Sequence, residues 1–380
     1  MKKSFRLTSA VLASTFFLGA LPVFVTTTAN AFNVDQCTVF PADSPPGPPP
    51  LTNEGPPPLT TSSKGNIVIT TIGCVRSSTT DAIDMDAAAT VDILANNTGG
   101  GNSDGVAPNK QAVHAQNGFV GINVTAGPST IIIGDGPVTI STVASDGGNA
   151  IKANAPVTIT NHGAVGTVNS DNIVLLAGAT GSEITNTGTI NYISLGLSGV
   201  VVNASGFKLS NSFVSANEPG VIRGSNAGGN AITLNTGATN ATIVNNSGNP
   251  GFTTSGILTN FNGNDGIFVD AAQASITNNS PGLIYANASA IELTANAIKA
   301  TITNTGTMRG TTTQTQDTVL VNADMFTLMN NGGSILSFNG KNAVSLNATG
   351  ATTVATITNT GTIDAATNAG KDGILINETG

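Results

Sequence analysis

Ile184-Thr185-Asn186-Thr187-Gly188-Thr189-Ile190 returns unchanged as Ile357-Thr358-Asn359-Thr360-Gly361-Thr362-Ile363, and nearly unchanged as Ile302-Thr303-Asn304-Thr305-Gly306-Thr307-Met308. Weaker copies centre on Asn161, Asn211, Asn245, Asn278 and Asn330. Along the chain the eight asparagines are separated by 25, 25, 34, 33, 26, 26 and 29 residues. A second half-repeat precedes each copy: small polar, small, Ile or Val, any, apolar, then usually Asn, as in Asn230-Ala231-Ile232-Thr233-Leu234-Asn235. Its leading polar residue forms a column of Asn149, Asp171, Ser198, Asn230, Asp265, Ser289, Asp317, Asn342 and Asp372.

Each unit thus holds two or three strands of four or five residues with apolar positions at period 2, broken by Asn/Gly turns. No stretch keeps a 3.6-residue apolar period, which excludes crossover helices. A unit made only of short strands buries its apolar face by stacking on the next unit. The sequence therefore predicts an all-β chain: a right-handed parallel β-helix, a solenoid of about 25–35 residues per coil. Nine or ten regular coils would make a rod of roughly 45–50 Å. The repeated asparagines are expected at the corners, where Asn tolerates left-handed backbone angles and stacks in ladders. Gly188, Gly306 and Gly361 are expected to take positive φ. In the acidic column the aspartates never occupy adjacent coils, which reads as a solvated turn column.

Composition agrees with stacked sheets. Charged residues make up 9% and aromatics 4%, with 45 Gly and no Trp, while the 39% hydrophobic residues cluster in β-branched runs. The N-terminus reads as an export signal: Lys2, Lys3 and Arg6, an apolar run from Leu7 to Val25, and Ala29-Asn30-Ala31 before a cleavage point at Phe32. Losing those three cations takes the net charge from −8 to −11. That balance argues against nucleic acid and anionic lipid as partners. The expected organisation is a leader over 1–31, a Pro-rich segment over 32–64, irregular leading coils or a cap over 65–141, and regular β-helix repeats over 142–380, stopping partway through a coil. Cys37 and Cys74 are expected to form one disulfide in an oxidising compartment.

The leader, the Thr/Asn/Gly-rich coils and the Ile-Thr-Asn-Thr-Gly-Thr-Ile unit together resemble the passenger domains of Gram-negative autotransporters (type V secretion), over roughly residues 60–380. The resemblance implies display at the cell surface or release outside the cell. It also implies an outer-membrane β-barrel translocator, fused downstream or separate; these 380 residues contain no barrel strands, so the chain reads as truncated before one.

Polysaccharide-cleaving β-helices need Asp clusters with Arg or Lys on neighbouring coils. Here Lys152, Lys208, Arg223, Lys299, Arg309, Lys341 and Lys371 look scattered, and Asp265 with Asp270 is the best acidic pair. His114 and His162 are the two histidines; His162 takes the variable place of an Asn-x-Gly turn. No GxSxG or HExxH motif occurs. Gly99–Val106 echoes a Ca²⁺-binding nonapeptide once, whereas such sites need tandem copies. No catalytic, cofactor or metal residues are expected. The expected role is a structural or adhesive surface scaffold that meets a host or surface glycan or protein, or self-associates. Its binding loops are placed at Glu218–Asn226 and Gly248–Asn264. A carbohydrate-active β-helix and a haemagglutinin-like exoprotein of a two-partner system are the alternatives.

Overall fold

The computed structural model describes residues 31–34, 37–39, 59–70, 74–94, 112–134, 141–191, 197–215, 218–225, 228–248, 256–259, 264–347, 354–365 and 371–377. The leader, the Pro-rich stretch Pro45–Pro58, the Gly99–Val106 segment and most of Gly248–Asn264 lie outside the described residues.

Three parallel sheets of 12 strands each build the molecule. The first runs from Phe32–Val34 to Thr356–Asn359, the second from Cys37–Val39 to Thr362–Asp364, the third from Leu59–Thr60 to Ile374–Ile376. The chain visits the sheets in turn, so each strand pairs with its counterpart one coil away. This is a parallel β-helix. Strands are two to five residues long, which is what period-2 runs cut by Asn/Gly turns permit. One helix, Thr61–Lys64, and one antiparallel hairpin, Phe213–Ser215 with Glu218–Pro219, interrupt the pattern. Among the described residues, no helix is long and apolar enough to cross a membrane.

Short three-residue strands alternate in, out, in, and the inward positions stack into columns. In the third sheet Ile151, Ile173, Val200, Ile232, Ile267, Ile291, Val319 and Val344 are fully buried register partners. Equivalent columns run through the other sheets, for example Ile159, Ile184, Leu209, Ile243, Ile276, Ile302 and Leu328 in the first. Each buried Ile, Leu or Val contributes about 1.5–3 kcal/mol of transfer free energy. The core is therefore a line of aliphatic stacks rather than one central cluster.

Within 65–141, where the sequence left leading coils or a cap open, Ile67, Val91, Ile131 and Ile159 are consecutive register partners, so the same stack runs through the described strands. Coil length ranges more widely than expected, from 22 residues between Ile151 and Ile173 to 40 between Ile93 and Ile133. A solenoid tolerates this, because a loop that leaves the coil costs only slowly rising closure entropy.

Candidate functional site

The repeated asparagines end the strands of the first sheet, and their side chains point inward. Seven consecutive Nδ2–H···Oδ1 bonds of 2.7–2.9 Å join Asn161, Asn186, Asn211, Asn245, Asn278, Asn304, Asn330 and Asn359. The first seven are fully buried; Asn359 is exposed. The second Nδ2 hydrogen is also used: Asn186 donates to the Gly188 carbonyl at 3.1 Å, Asn211 to Gly220 at 3.2 Å and Asn278 to Gly282 at 3.2 Å. Each side chain thus bonds along the axis and fastens its own turn into the second sheet. In the four preceding coils the column is apolar, as Val34, Ile69, Ile93 and Ile133. The Asn161 Oδ1 atom, facing Ile133, is accordingly buried without a hydrogen-bond partner.

These asparagines are not the left-handed corners the sequence suggested. None has positive φ, nor do Gly188, Gly306 or Gly361. Those glycines are demanded by proximity: a Cβ would strike the carbonyl of Gly163 from Gly188, of Gly282 from Gly306, and of Gly333 from Gly361. The left-handed corner precedes the first sheet instead. Gly181, Gly206, Asn240, Gln273, Lys299 and Met325 all have φ between 56° and 74°. A buried alanine stands two residues ahead of each, at Ala179, Ala204, Ala238, Ala271, Ala297 and Ala323.

The polar column is a second ladder, with backbone N–H groups as donors. Asp171 Oδ1 accepts the N–H of Ser198 at 2.9 Å, Asn230 that of Asp265 at 3.0 Å, and Asp265 that of Ser289 at 2.9 Å. Asp317 accepts from Asn342 at 2.7 Å and Asn342 from Asp372 at 3.1 Å. Asn149 works in the other sense, donating to the Asp171 carbonyl at 2.8 Å. Asp81, absent from the sequence-derived column, accepts the Val120 N–H at 2.8 Å and heads it. The column is solvated only in part: Asp265 is 5% exposed and Ser198, Ser289 and Asn342 are buried, whereas Asp171 and Asp317 are half-buried and Asp372 is exposed. The carboxylates are placed by coil-to-coil backbone bonding, which short oxygen-bearing side chains satisfy.

The acidic pair differs from expectation. Asp265 meets Glu292, on the outer face of the next coil, and not Asp270. Burial pushes the Asp265 carboxyl up to about 7, the Ser289 N–H opposes this, and Glu292 adds to it by charge and hydrogen bonding. Burial raises Glu292 as well. Asp270 instead accepts from Thr294 and, at 3.0 Å, from Asn296. One oxygen of Asp265 is committed to the Ser289 N–H of the next coil.

His162 Nδ1 lies 2.6 Å from the Thr187 hydroxyl, its counterpart one coil on, within the Asn-x-Gly column. His114, 1% exposed, lies with Nε2 3.2 Å from Asp146 Oδ2. No group of three His, Cys, Asp or Glu residues is placed to hold a metal among the described residues. Cys37 and Cys74 are register partners in the first two strands of the second sheet, and Cys74 is disulfide-bonded; the chain has no other cysteine.

The cations are less scattered than the sequence suggested. Lys208 and Glu183 are register partners with a 2.7 Å ion pair, both exposed. Arg223 and Arg309 share one outward column of the second sheet, separated by Leu258 and Tyr285. Their sequence intervals gave no hint of this, because variable loops shift them out of any fixed period. The chain matches no family model, no curated protein and no solved structure.

Proposed function

We propose that this chain is an exported, surface-displayed β-helical scaffold of the autotransporter-passenger kind, whose work is binding rather than catalysis. The observation that carries this reading is the fate of its polar side chains. The repeated asparagines and aspartates are spent on the two ladders, which join coil to coil, and no group of three His, Cys, Asp or Glu residues is placed to hold a metal among the described residues. The N-terminal leader with Ala29-Asn30-Ala31 supports export. The acidic balance supports a partner other than nucleic acid. A rigid rod whose loops vary in length suits presentation of a contact surface away from a membrane.

The test is to express the complete reading frame in a Gram-negative host and treat intact cells with protease. Loss of the β-helix from intact cells, together with mature protein starting at Phe32, is expected. Protection from protease until the cells are lysed would overturn surface display. A screen against neutral and acidic polysaccharides, with and without Ca²⁺, should show no depolymerisation; turnover would return the carbohydrate-active reading.

A further inference from the structure

Parallel pairing places Arg223, Leu258, Tyr285 and Arg309 on four successive coils as direct register neighbours. They share the outer face of the second sheet, spanning about 14 Å at roughly 4.8 Å per coil. Leu258 is 3% exposed and packs with Val221, Leu283 and Tyr285 in an apolar cluster outside the main core. The Arg309 guanidinium stands 5.0 Å from the Tyr285 ring centre, a cation–π contact.

Among the described residues, neither Arg223 nor Arg309 makes an ion pair or a side-chain hydrogen bond, and the Arg309 Nε atom is buried without a partner. Burial lowers the pKa of Arg223 from its ordinary value, as expected for a cation drawn from water with nothing to offset the loss. The column's acidic member, Asp364, lies two coils beyond Arg309 and is exposed. This occurs in a chain with 21 acidic and 13 basic residues, where a carboxylate is the easiest partner to supply. Half-buried unpaired arginines are costly, and such local conflicts concentrate at binding sites.

We propose that this face binds a carboxylated polysaccharide, its uronate groups bridging Arg223 and Arg309 across the Leu258–Tyr285 floor. The guanidinium fork matches a carboxylate in two hydrogen bonds. On that floor half-buried Tyr285 offers apolar ring surface to the C–H faces of sugar rings, and buried Leu258 packs beside it. An acidic peptide is the weaker fit. Every strand beneath the column is paired on both sides, so no free edge exists for a peptide to extend the sheet. This inference rests on the reading of the chain as a binding scaffold, and it names the face and the ligand chemistry.

The experiment is a titration of the purified chain with fluorescently labelled oligogalacturonate, with neutral dextran and polyglutamate as comparison probes. Oligogalacturonate binding is expected, weakening with salt and falling at least tenfold in Arg223→Gln and in Arg309→Gln. Lys208→Gln, which removes an exposed cation on the first sheet, should leave it unchanged. Arg223→Gln should not lower the thermal midpoint, and Arg309→Gln should lower it only by the loss of its contact with the Tyr285 ring. No oligogalacturonate binding, an equal loss in Lys208→Gln, or tighter binding of polyglutamate or dextran would overturn the proposal. Uronate binding by a chain that stays inside the cell would remove surface display alone; display without uronate binding would remove this inference alone.

Discussion

The asparagine column sets one residue type against two environments. Within the ladder, each amide gives and takes an axial bond while buried, so removing one member breaks two bonds and orphans its neighbours. An unsatisfied buried polar group costs about 1–3 kcal/mol beyond the lost bond. Asn245→Ile should therefore destabilise by roughly 3–5 kcal/mol, because Asn211 and Asn278 both lose a partner. Asn161→Ile should cost far less, within about 1.5 kcal/mol. Asn161 already carries an orphaned oxygen beside Ile133, and the substitution moves that orphan one coil along while extending an aliphatic column. Denaturant midpoints of the two variants, measured side by side, test the difference; equal losses would refute the ladder's energetic role. Asp265 gives a second residue-scale prediction. Its carboxyl titrates near 7 in the fold against the ordinary 3.8, so the folded state holds the proton more tightly than the unfolded chain. Its contribution is then fully present below about pH 4 and is lost as pH rises through 7. Asp265→Asn keeps an oxygen for the Ser289 N–H, as Asn230 does for Asp265 itself. The variant should be more stable than wild type at pH 8, by about 1–3 kcal/mol, and no more stable at pH 4. Midpoints at both values decide the matter, and a gain at pH 4 equal to that at pH 8 would rule it out.

At the scale of the coil, the turns into and out of the first sheet obey different constraints. Lys299 and Met325 hold left-handed backbone angles that cost an L-residue roughly 1–2 kcal/mol. Lys299→Gly should therefore stabilise, by about 0.5–1 kcal/mol after the added freedom of the unfolded chain is counted. Gly306→Ala should destabilise by at least about 2 kcal/mol, since the new methyl meets the Gly282 carbonyl and the Asn278 amide. Opposite signs in thermal unfolding are the expected outcome, and a tolerated Gly306→Ala would remove the close-approach account. This pair also marks what was legible in the sequence. Apolar alternation and the Asn-x-Gly spacing were enough for the solenoid, because burial and coil stacking both follow from them. The conformational role of each turn was not, because Asn and Gly serve left-handed backbone, internal ladders and tight packing alike. The corner itself escaped notice, since Gln273, Lys299 and Met325 carry no turn signal. Glu292 and the Arg223–Arg309 column escaped for another reason: their neighbours come from other coils, and the intervening loops vary in length.

Across the whole molecule, each coil touches only the coils on either side, so stability is a chain of nearest-neighbour terms and not one global number. A constraint at one end then acts locally. The Cys37–Cys74 pair bridges the first two strands of the second sheet, beside the coil that Thr61, Ser62 and Asp86 fasten through side-chain hydrogen bonds. In the loop-closure picture a bridge of this span contributes about 3–4 kcal/mol. That free energy belongs to the coils containing it. Reduction should raise amide hydrogen exchange in strands Phe32–Val34, Ile67–Ile69 and Cys74–Ser77. Exchange at Ile232–Leu234 and Ile291–Leu293, in the seventh and ninth coils of the rod, should not change. Exchange measured by mass spectrometry on oxidised and reduced protein resolves these segments. Uniform loosening over all twelve coils would mean that the rod unfolds as one cooperative body, against the nearest-neighbour account. A response confined to the first coils would mean that the far coils, including those bearing Arg223 and Arg309, hold their shape through the asparagine ladder and aliphatic stacks beneath them.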